Sequence, residues 1–333
     1  MMKRLLLILG ITILAVFGMA FTSTSSASAG PPQTVNISGL DLHDGALVHS
    51  GSTWYLYGTR YGCGFFWGRT SPWCGFGVAT SRSPQGPFTF QKLLFNPATV
   101  IHANWTVDNG KSWNGMCGFH GAGCFNARMV QTPTGQWLLW FNATGDKSRN
   151  ANPYWNMTCS GPEGPCSAPH KPAIYSGCRL GGDFSIAVQG KQGWITCTNS
   201  GSRVINLEPL TTNDRDGVNS MATVPTAFGE SPGILHLSTG GYEMVISAPN
   251  CGYCSGTKAA ASGAVAVSAG FALAPNIAGP WVYQGNLPGG TCVGQPRSSS
   301  NGFELVDRWN GTAQEPDAAV GIIPMDESPW SCK

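Results

Sequence analysis

The chain is expected to fold as an all-β protein built from repeated antiparallel units, and three observations point there. Glycine and proline are abundant, 45 and 23 of 333 residues, and beyond the first 29 residues no segment sustains a 3.6-residue apolar period, which disfavours long helices. Short aromatic and β-branched runs recur between Gly, Pro, Asn and Ser, as strands closed by turns do. A loose repeat also runs through the chain: GSTWYLYGT precedes VATSRSPQGPF, and GGYEMVIS precedes AGFALAPNIAGPW. Each pair reads as a hairpin with a glycine turn, then a strand and a Gly-Pro-aromatic corner. One such unit cannot bury its own apolar face, so the repeat implies a solenoid or propeller. Blades of about 45 to 60 residues, slightly longer than common propeller repeats, would number five or six.

The expected strands follow in order. Thr53 to Thr59 carries three aromatics behind the Gly51 turn, and Gln136 to Asn142 repeats that pattern behind Gly135. Phe184 to Val188 and Trp194 to Thr198 flank the Gly190 turn of VQGKQGWITCTN as a second hairpin. Ile234 to Leu237 and Tyr242 to Ser247 flank Gly240-Gly241, and Ala264 to Ala272 and Phe303 to Val306 complete the set. No linker or shift of composition divides them, so residues 30–333 are expected to form a single domain.

Residues 1–29 read as a secretory signal peptide: Lys3 and Arg4, an apolar run from Leu5 to Phe21, and the small-residue pattern Ala27-Ser28-Ala29. No basic stop-transfer cluster follows, so a secreted, extracellular protein is expected rather than an anchored one. The leader holds two of the 19 basic and none of the 17 acidic residues, so the remainder is close to neutral. Nucleic acid and anionic membrane both select a basic patch, and neither is expected as a partner. Charged residues make up 11%, against roughly 25% in an average domain, leaving Ser, Thr, Asn, Gln and Gly to cover the surface.

Twelve cysteines in an exported chain imply disulfides. Cys63 and Cys74, Cys117 and Cys124, Cys159 and Cys166, and Cys178 and Cys197 lie close enough in sequence to staple loops, although sequence alone does not set connectivity. Cys251 and Cys254 form C-x-x-C without a βαβ pattern and read as structural. Asn36, Asn104, Asn142, Asn156 and Asn310 open N-x-[ST] sites, to be glycosylated only in a eukaryotic secretory pathway.

LHDGALVHSGSTWYLYGT, VATSRSPQGPF, GGDFSIAVQGKQGWITC and ESPGILHLSTGGYEMVIS occur in the order of four motifs of glycoside hydrolase family 43, which the chain resembles over most of its length. The resemblance implies a five-bladed β-propeller, here with disulfide-stapled loops, and three carboxylates converging on a central pocket. Asp44 falls on the general base, Asp183 on the acid that tunes its neighbour, and Glu230 on the general acid. An inverting hydrolase needs one carboxylate to activate water and one carboxylic acid to protonate the leaving oxygen. A third carboxylate nearby keeps that acid protonated.

The match has departures. Gly45 stands where the family carries Pro after the first Asp. The exo-β-1,3-galactanase branch has Gly in place of Asp44 and uses a last-blade Gln in the base's role. TCVGQPRSSSNGFELVDRWNG, with Gln295 and Asp307-Arg308-Trp309, resembles that last blade, and NARMVQTPTGQWLLWFN resembles that branch's second blade, with Asn126 in place of a sugar-contacting Glu. The resemblance therefore implies β-galactan or arabinan side chains of plant cell walls as substrate. Gln295, His43, Arg128, Asn126, Arg308 and Trp309 are its candidate substrate-binding residues.

Each assignment has a plainer reading. Asp44 and Asp183 stand beside glycines and would serve as turn residues; Asp41 competes with Asp44, but register to WYLYGT favours Asp44. Gln295 is a sugar ligand first, and a base surrogate or loop residue otherwise. Trp54, Tyr55, Trp67, Trp73, Trp105, Trp113 and Trp309 would stack on sugars or, for most, pack between blades. The six His show no zinc spacing, and no D-x-D-x-D loop is present, so no metal ligand is assigned and no cofactor is required. A structural calcium, which parts of the family carry, stays an open alternative. The expected partner is an oligo- or polysaccharide and the expected state a monomer.

Two other functions compete: a catalytically inactive propeller that binds carbohydrate, and a serine esterase. Gly229-Glu230-Ser231-Pro232-Gly233 matches the G-x-S-x-G nucleophile elbow, which needs a following helix and an N–H on the next residue for the oxyanion hole. Pro232 has no N–H, and a hairpin is expected to follow. On this reading Ser231 is dispensable.

Overall fold

The structure is a computed structural model that describes residues 35–65, 72–97, 113, 115–119, 123–143, 152–175, 177–178, 181–220, 222–247, 270–286, 295–300, 302–309 and 316–325. All of its strands belong to one compact unit, Gln33–Lys333; the expected leader and the C-x-x-C cysteines lie outside the described residues.

After β1 (Val35–Ile37), the chain forms antiparallel sheets one after another. The first contains β2 (Leu47–Ser50), β3 (Thr53–Thr59), β4 (Phe76–Ser81) and β5 (Thr89–Phe95). The second contains β6 (Cys124–Gln131), β7 (Trp137–Ala143) and β8 (Tyr154–Cys159). The third contains β9 (Gly181–Gln189), β10 (Gln192–Asn199), β11 (Val204–Pro209) and β12 (Ala222–Phe228). The fourth contains β13 (Glu230–His236), β14 (Tyr242–Ser247), β15 (Gly270–Ala274) and β16 (Val282–Asn286). The last contains β17 (Gln295–Ser300), β18 (Phe303–Arg308) and β19 (Ala319–Pro324), and β1 pairs with β19 as its fourth strand, Val35 opposite Ile322. The two Gly-Pro-aromatic corners of the sequence repeat, at Gly86 and Gly279, occupy the same link between third and fourth strands in the first and fourth sheets.

The central strands are apolar on both faces because each sheet is covered on both sides. In β7, Leu139 and Phe141 join a cluster with Tyr57, Phe76 and Phe95 of the first sheet, while Leu138 and Trp140 join Phe184 and Ile195 of the third. In β14, Met244 and Ile246 meet Ile205 and Leu207 of the third sheet, and Val245 meets Val306 and Ile323 of the last. Leu305, Val320 and Ile322 of the last sheet in turn pack on Leu47 and Leu56 of the first. Shared cores thus link each sheet to the next and the last to the first, each large buried side chain contributing about 1.5–3 kcal/mol.

The first of these cores is strongly aromatic. Trp113 crosses Trp155 edge to face at 4.7 Å, and Trp73 gives its indole N–H to the Cys124 carbonyl at 3.2 Å. Trp73 and Trp113 are each 1% exposed, so of the two readings open to them, packing between sheets applies.

Among the described residues four disulfides form between cysteines adjacent in sequence: Cys63–Cys74, Cys117–Cys124, Cys159–Cys166 and Cys178–Cys197. The first joins two segments of the link between β3 and β4, and the other three each anchor a neighbouring segment to a strand, β6, β8 and β10. No helix among the described residues is long and apolar enough to cross a membrane. Asn142 and Asn156 are buried side chains, and Asn156 donates to the Arg215 carbonyl at 2.8 Å. Their sequons therefore have no room for a glycan.

Candidate active site

The first strands of the five sheets, β2, β6, β9, β13 and β17, lie against one another or against the next hairpin, and most of the predicted residues gather where they begin. Regular pairing breaks near those starts. Register shifts occur between Phe125 and Arg128, opposite β9 between Cys197 and Asn199, between Glu230 and Gly233, and between Pro296 and Ser298. Asp44, Asn126 and Ser231 have φ of 56°, 61° and 55°, a conformation Asn and Asp tolerate better than other non-glycine residues. A regular strand sends neighbouring side chains to opposite faces; a bulge re-aims them.

Asp44 is fixed on several sides. Its N–H donates to Asp307 Oδ2 at 2.8 Å, its carbonyl accepts from Arg128 Nη1 at 2.7 Å, and its Oδ2 accepts from the Tyr61 hydroxyl. A Cβ on Gly45 would fall 1.6 Å from the Tyr57 carbonyl oxygen, so no side chain, proline included, fits there. That explains the departure at this position. The left-handed backbone of Asp44 likewise suits the glycine of the galactanase branch.

Asp183 lies half-buried near the start of β9. Its Oδ1 accepts from Asn126 Nδ2 at 3.1 Å, and its Oδ2 accepts from the Ser231 hydroxyl and from Gln295 Nε2 at 3.3 Å. Arg128 Nη2 donates to Asn126 Oδ1 at 3.2 Å, which joins Asp44 to Asp183 through Arg128 and Asn126. Gln295 Nε2 donates to Ser231 Oγ at 2.9 Å, and Gln295 Oε1 accepts from Trp309 Nε1 at 2.9 Å.

Glu230 follows directly on β12 through Gly229, whose N–H bonds the Arg203 carbonyl at 2.9 Å. That link brings Arg203 Nη1 within 2.7 Å of Glu230 Oε2. The two side chains are 32% and 14% exposed, so this pair is partly open to solvent. An opposite charge so near favours an ionised carboxylate.

Several predicted sugar ligands lie beneath the surface instead. Arg128, Asn126, His43 and Trp309 are at most 2% exposed and brace the carboxylates. His43 Nδ1 meets Asp307 Oδ1 at 3.2 Å, and its ring packs 5.1 Å from Trp309. Burial opposes charge on His43, yet the hydrogen bond and charge of Asp307, with Asp44 and Asp41 nearby, hold its pKa above the usual value. Arg308 does not join the site. It follows Asp307 in β18 and so takes the opposite face, where its Nε lies 3.0 Å from a Cβ built on Gly321 and has no hydrogen-bond partner among the described residues.

Sequence reasoning missed Arg203, Tyr61 and the role of Ser231. Nothing in NSGSRV distinguishes Arg203 from any turn arginine, because its place depends on how β12 leads into β13. The letters of GESPG misdirect: β13 and β14 form a hairpin, and the Ser231 hydroxyl bonds Asp183. The sequence reading of Ser231 as dispensable did not foresee this contact with Asp183. Among the described residues no group of three or more His, Cys, Asp or Glu could hold a metal ion.

Neither a protein-family model nor a curated protein sequence matches the chain. Solved structures do. An exo-β-1,3-galactanase from Phanerochaete chrysosporium with β-1,3-galactotriose is 16% identical over 86% of this chain and 61% of its own, with a TM-score of 0.63. An exo-β-1,3-galactanase from Clostridium thermocellum is 16% identical over 86% of this chain and 59% of its own, at 0.62. A family 43 β-1,3-galactosidase with galactodeoxynojirimycin is 13% identical over 88% and 95%, at 0.62. The chain spans about three-fifths of the first two and nearly all of the third. It shares the fold of glycoside hydrolase family 43 structures, the galactanase branch among them.

Proposed function

We propose that the chain is an exported glycoside hydrolase of family 43, its five sheets the blades of a closed propeller, acting on β-1,3-linked galactan side chains with inversion. The observation that carries this reading is the hydrogen-bonded chain from Asp44 through Arg128, Asn126 and Asp183 to Ser231 beside Glu230. A fold shared with structures of galactan-cleaving enzymes supports it as well.

In the proposed reaction Glu230 gives its proton to the glycosidic oxygen as the bond to the anomeric carbon breaks. Asp44 takes a proton from the water that attacks that carbon from the opposite face. Asp183 contributes negative charge that favours the protonated form of Glu230. The Arg203 contact matches Glu230 after proton delivery, so substrate entry must loosen it. Gln295 orients sugar or water from the side of Asp183. Acid–base chemistry of this kind needs no cofactor, and one chain supplies all the groups.

The Arg203–Glu230 pair also favours the second reading, a propeller that binds carbohydrate without cleaving it. The deciding experiment offers the protein β-1,3-galactotriose and arabinan and xylan oligosaccharides and follows the products by NMR. Galactose released first as the α-anomer supports the proposal. Release as the β-anomer would overturn inversion, and binding without release would favour the second reading.

A further inference from the structure

Ser231 is fully buried, at 0% exposure, and holds a left-handed backbone that costs a serine energy and a glycine almost none. The register break between Glu230 and Gly233 surrounds it, and Pro232 sits inside that break, where no ladder N–H is required. The strain has a geometric consequence. Glu230 and Ser231 are neighbours in one strand, yet both reach the same site: Glu230 toward Arg203, and Ser231 toward Asp183 and Gln295.

The hydrogen bonds beneath Asp183 run in one direction. The indole N–H of Trp309 only donates, so the Gln295 oxygen must face it at 2.9 Å. The Gln295 NH₂ group then points at Ser231 Oγ at 2.9 Å. Ser231 accepts that bond, and its single proton is left for Asp183 Oδ2. Trp309, Gln295, Ser231 and Asp183 thus form a donor chain ending on a carboxylate, which favours its ionised form.

We infer that Ser231 is a positioning residue for the reaction proposed above: its strained, buried hydroxyl holds Asp183 ionised and aimed beside Glu230, and locks Gln295 in one orientation. This inference rests on the glycosidase reading and extends it to a residue whose motif suggests a different chemistry. Ser231 does not touch substrate; it acts through Asp183 and Gln295.

The test compares Ser231→Gly with Ser231→Ala. Both lose the hydroxyl, but glycine relieves the left-handed backbone and alanine does not. If Ser231 served only the fold, activity would follow stability, and the glycine variant would be active. The inference expects both variants to lose about ten- to a hundred-fold in kcat with little change in KM, the magnitude of a lost hydrogen bond to a charged group. The melting temperature of Ser231→Gly should be no lower than that of Ser231→Ala. The basic limb of the kcat/KM profile should move down, because an Asp183 no longer aimed beside Glu230 does less to keep that acid protonated.

Wild-type turnover in Ser231→Gly, with an unmoved basic limb, would overturn the inference and leave the glycosidase reading standing. A wild-type protein that cleaves no oligosaccharide overturns that reading instead. In that event a crystal structure of Ser231→Gly decides the positioning role: displaced Asp183 and Gln295 side chains support it, and unchanged ones contradict it.

Discussion

Arg203 and Asp44 set the chemistry of the two proposed catalytic carboxyls through opposite kinds of contact. Arg203 places a cation 2.7 Å from Glu230, which favours loss of the proton an acid must carry. Arg203→Met should therefore shift the basic limb of the pH–rate profile upward, since Glu230 would keep its proton to higher pH; a downward or absent shift would contradict that coupling. Asp44 is held by its own N–H on Asp307 and by the Tyr61 hydroxyl. Asp44→Asn removes the proposed base while keeping the contacts of the Asp44 backbone, and kcat should fall by about 10²–10⁴-fold. An unaffected rate would move the water-activating role to Gln295.

At the scale of elements, the recurring device is a bulged or left-handed strand start. Sequence patterns made the central hairpins legible: Thr53–Thr59 and Tyr242–Ser247 match the expected strands at both ends. The edge strand β5, with exposed residues at its start, carries a weaker pattern and is not among the expected strands; nor is β19, a short run between β1 and β18. The bulges were also illegible, because Asn126 and Ser231 owe their backbone to packing between sheets rather than to local turn chemistry. That gap explains why the acids were placed from motif order while Ser231 and Arg203 were not. The Cys178–Cys197 disulfide belongs to the same scale, since Cys197 pairs with Phe184, the residue after Asp183. Replacing both cysteines with alanine should lower the stability measured by urea denaturation by about 2–4 kcal/mol, and should weaken activity by loosening the start of β9.

For the whole molecule, cores covering both faces of each sheet leave some acids stranded between sheets. Glu243 shares a face of β14 with Val245, and burial pushes its pKa up from 4.5 to about 7; its Oε1 has no partner among the described residues. The folded chain holds this proton to higher pH than the unfolded chain does. Stability from this group is thus fully present below about pH 4.5 and is lost as pH rises through about 7. Glu243→Gln should flatten that decline in the urea midpoint relative to the wild type; an unchanged slope would show that Glu243 is already ionised in the fold. The proposed propeller would bring Asp44, Asp183 and Glu230 to one site, and the most direct test of that proposal is chemical. Wild-type protein and Glu230→Gln are each incubated with β-1,3-galactotriose and galactose release is timed. The expected result is release by the wild type and a rate about 10²–10⁴-fold lower in the variant, with trisaccharide binding retained; equal release by both would contradict Glu230 as the acid.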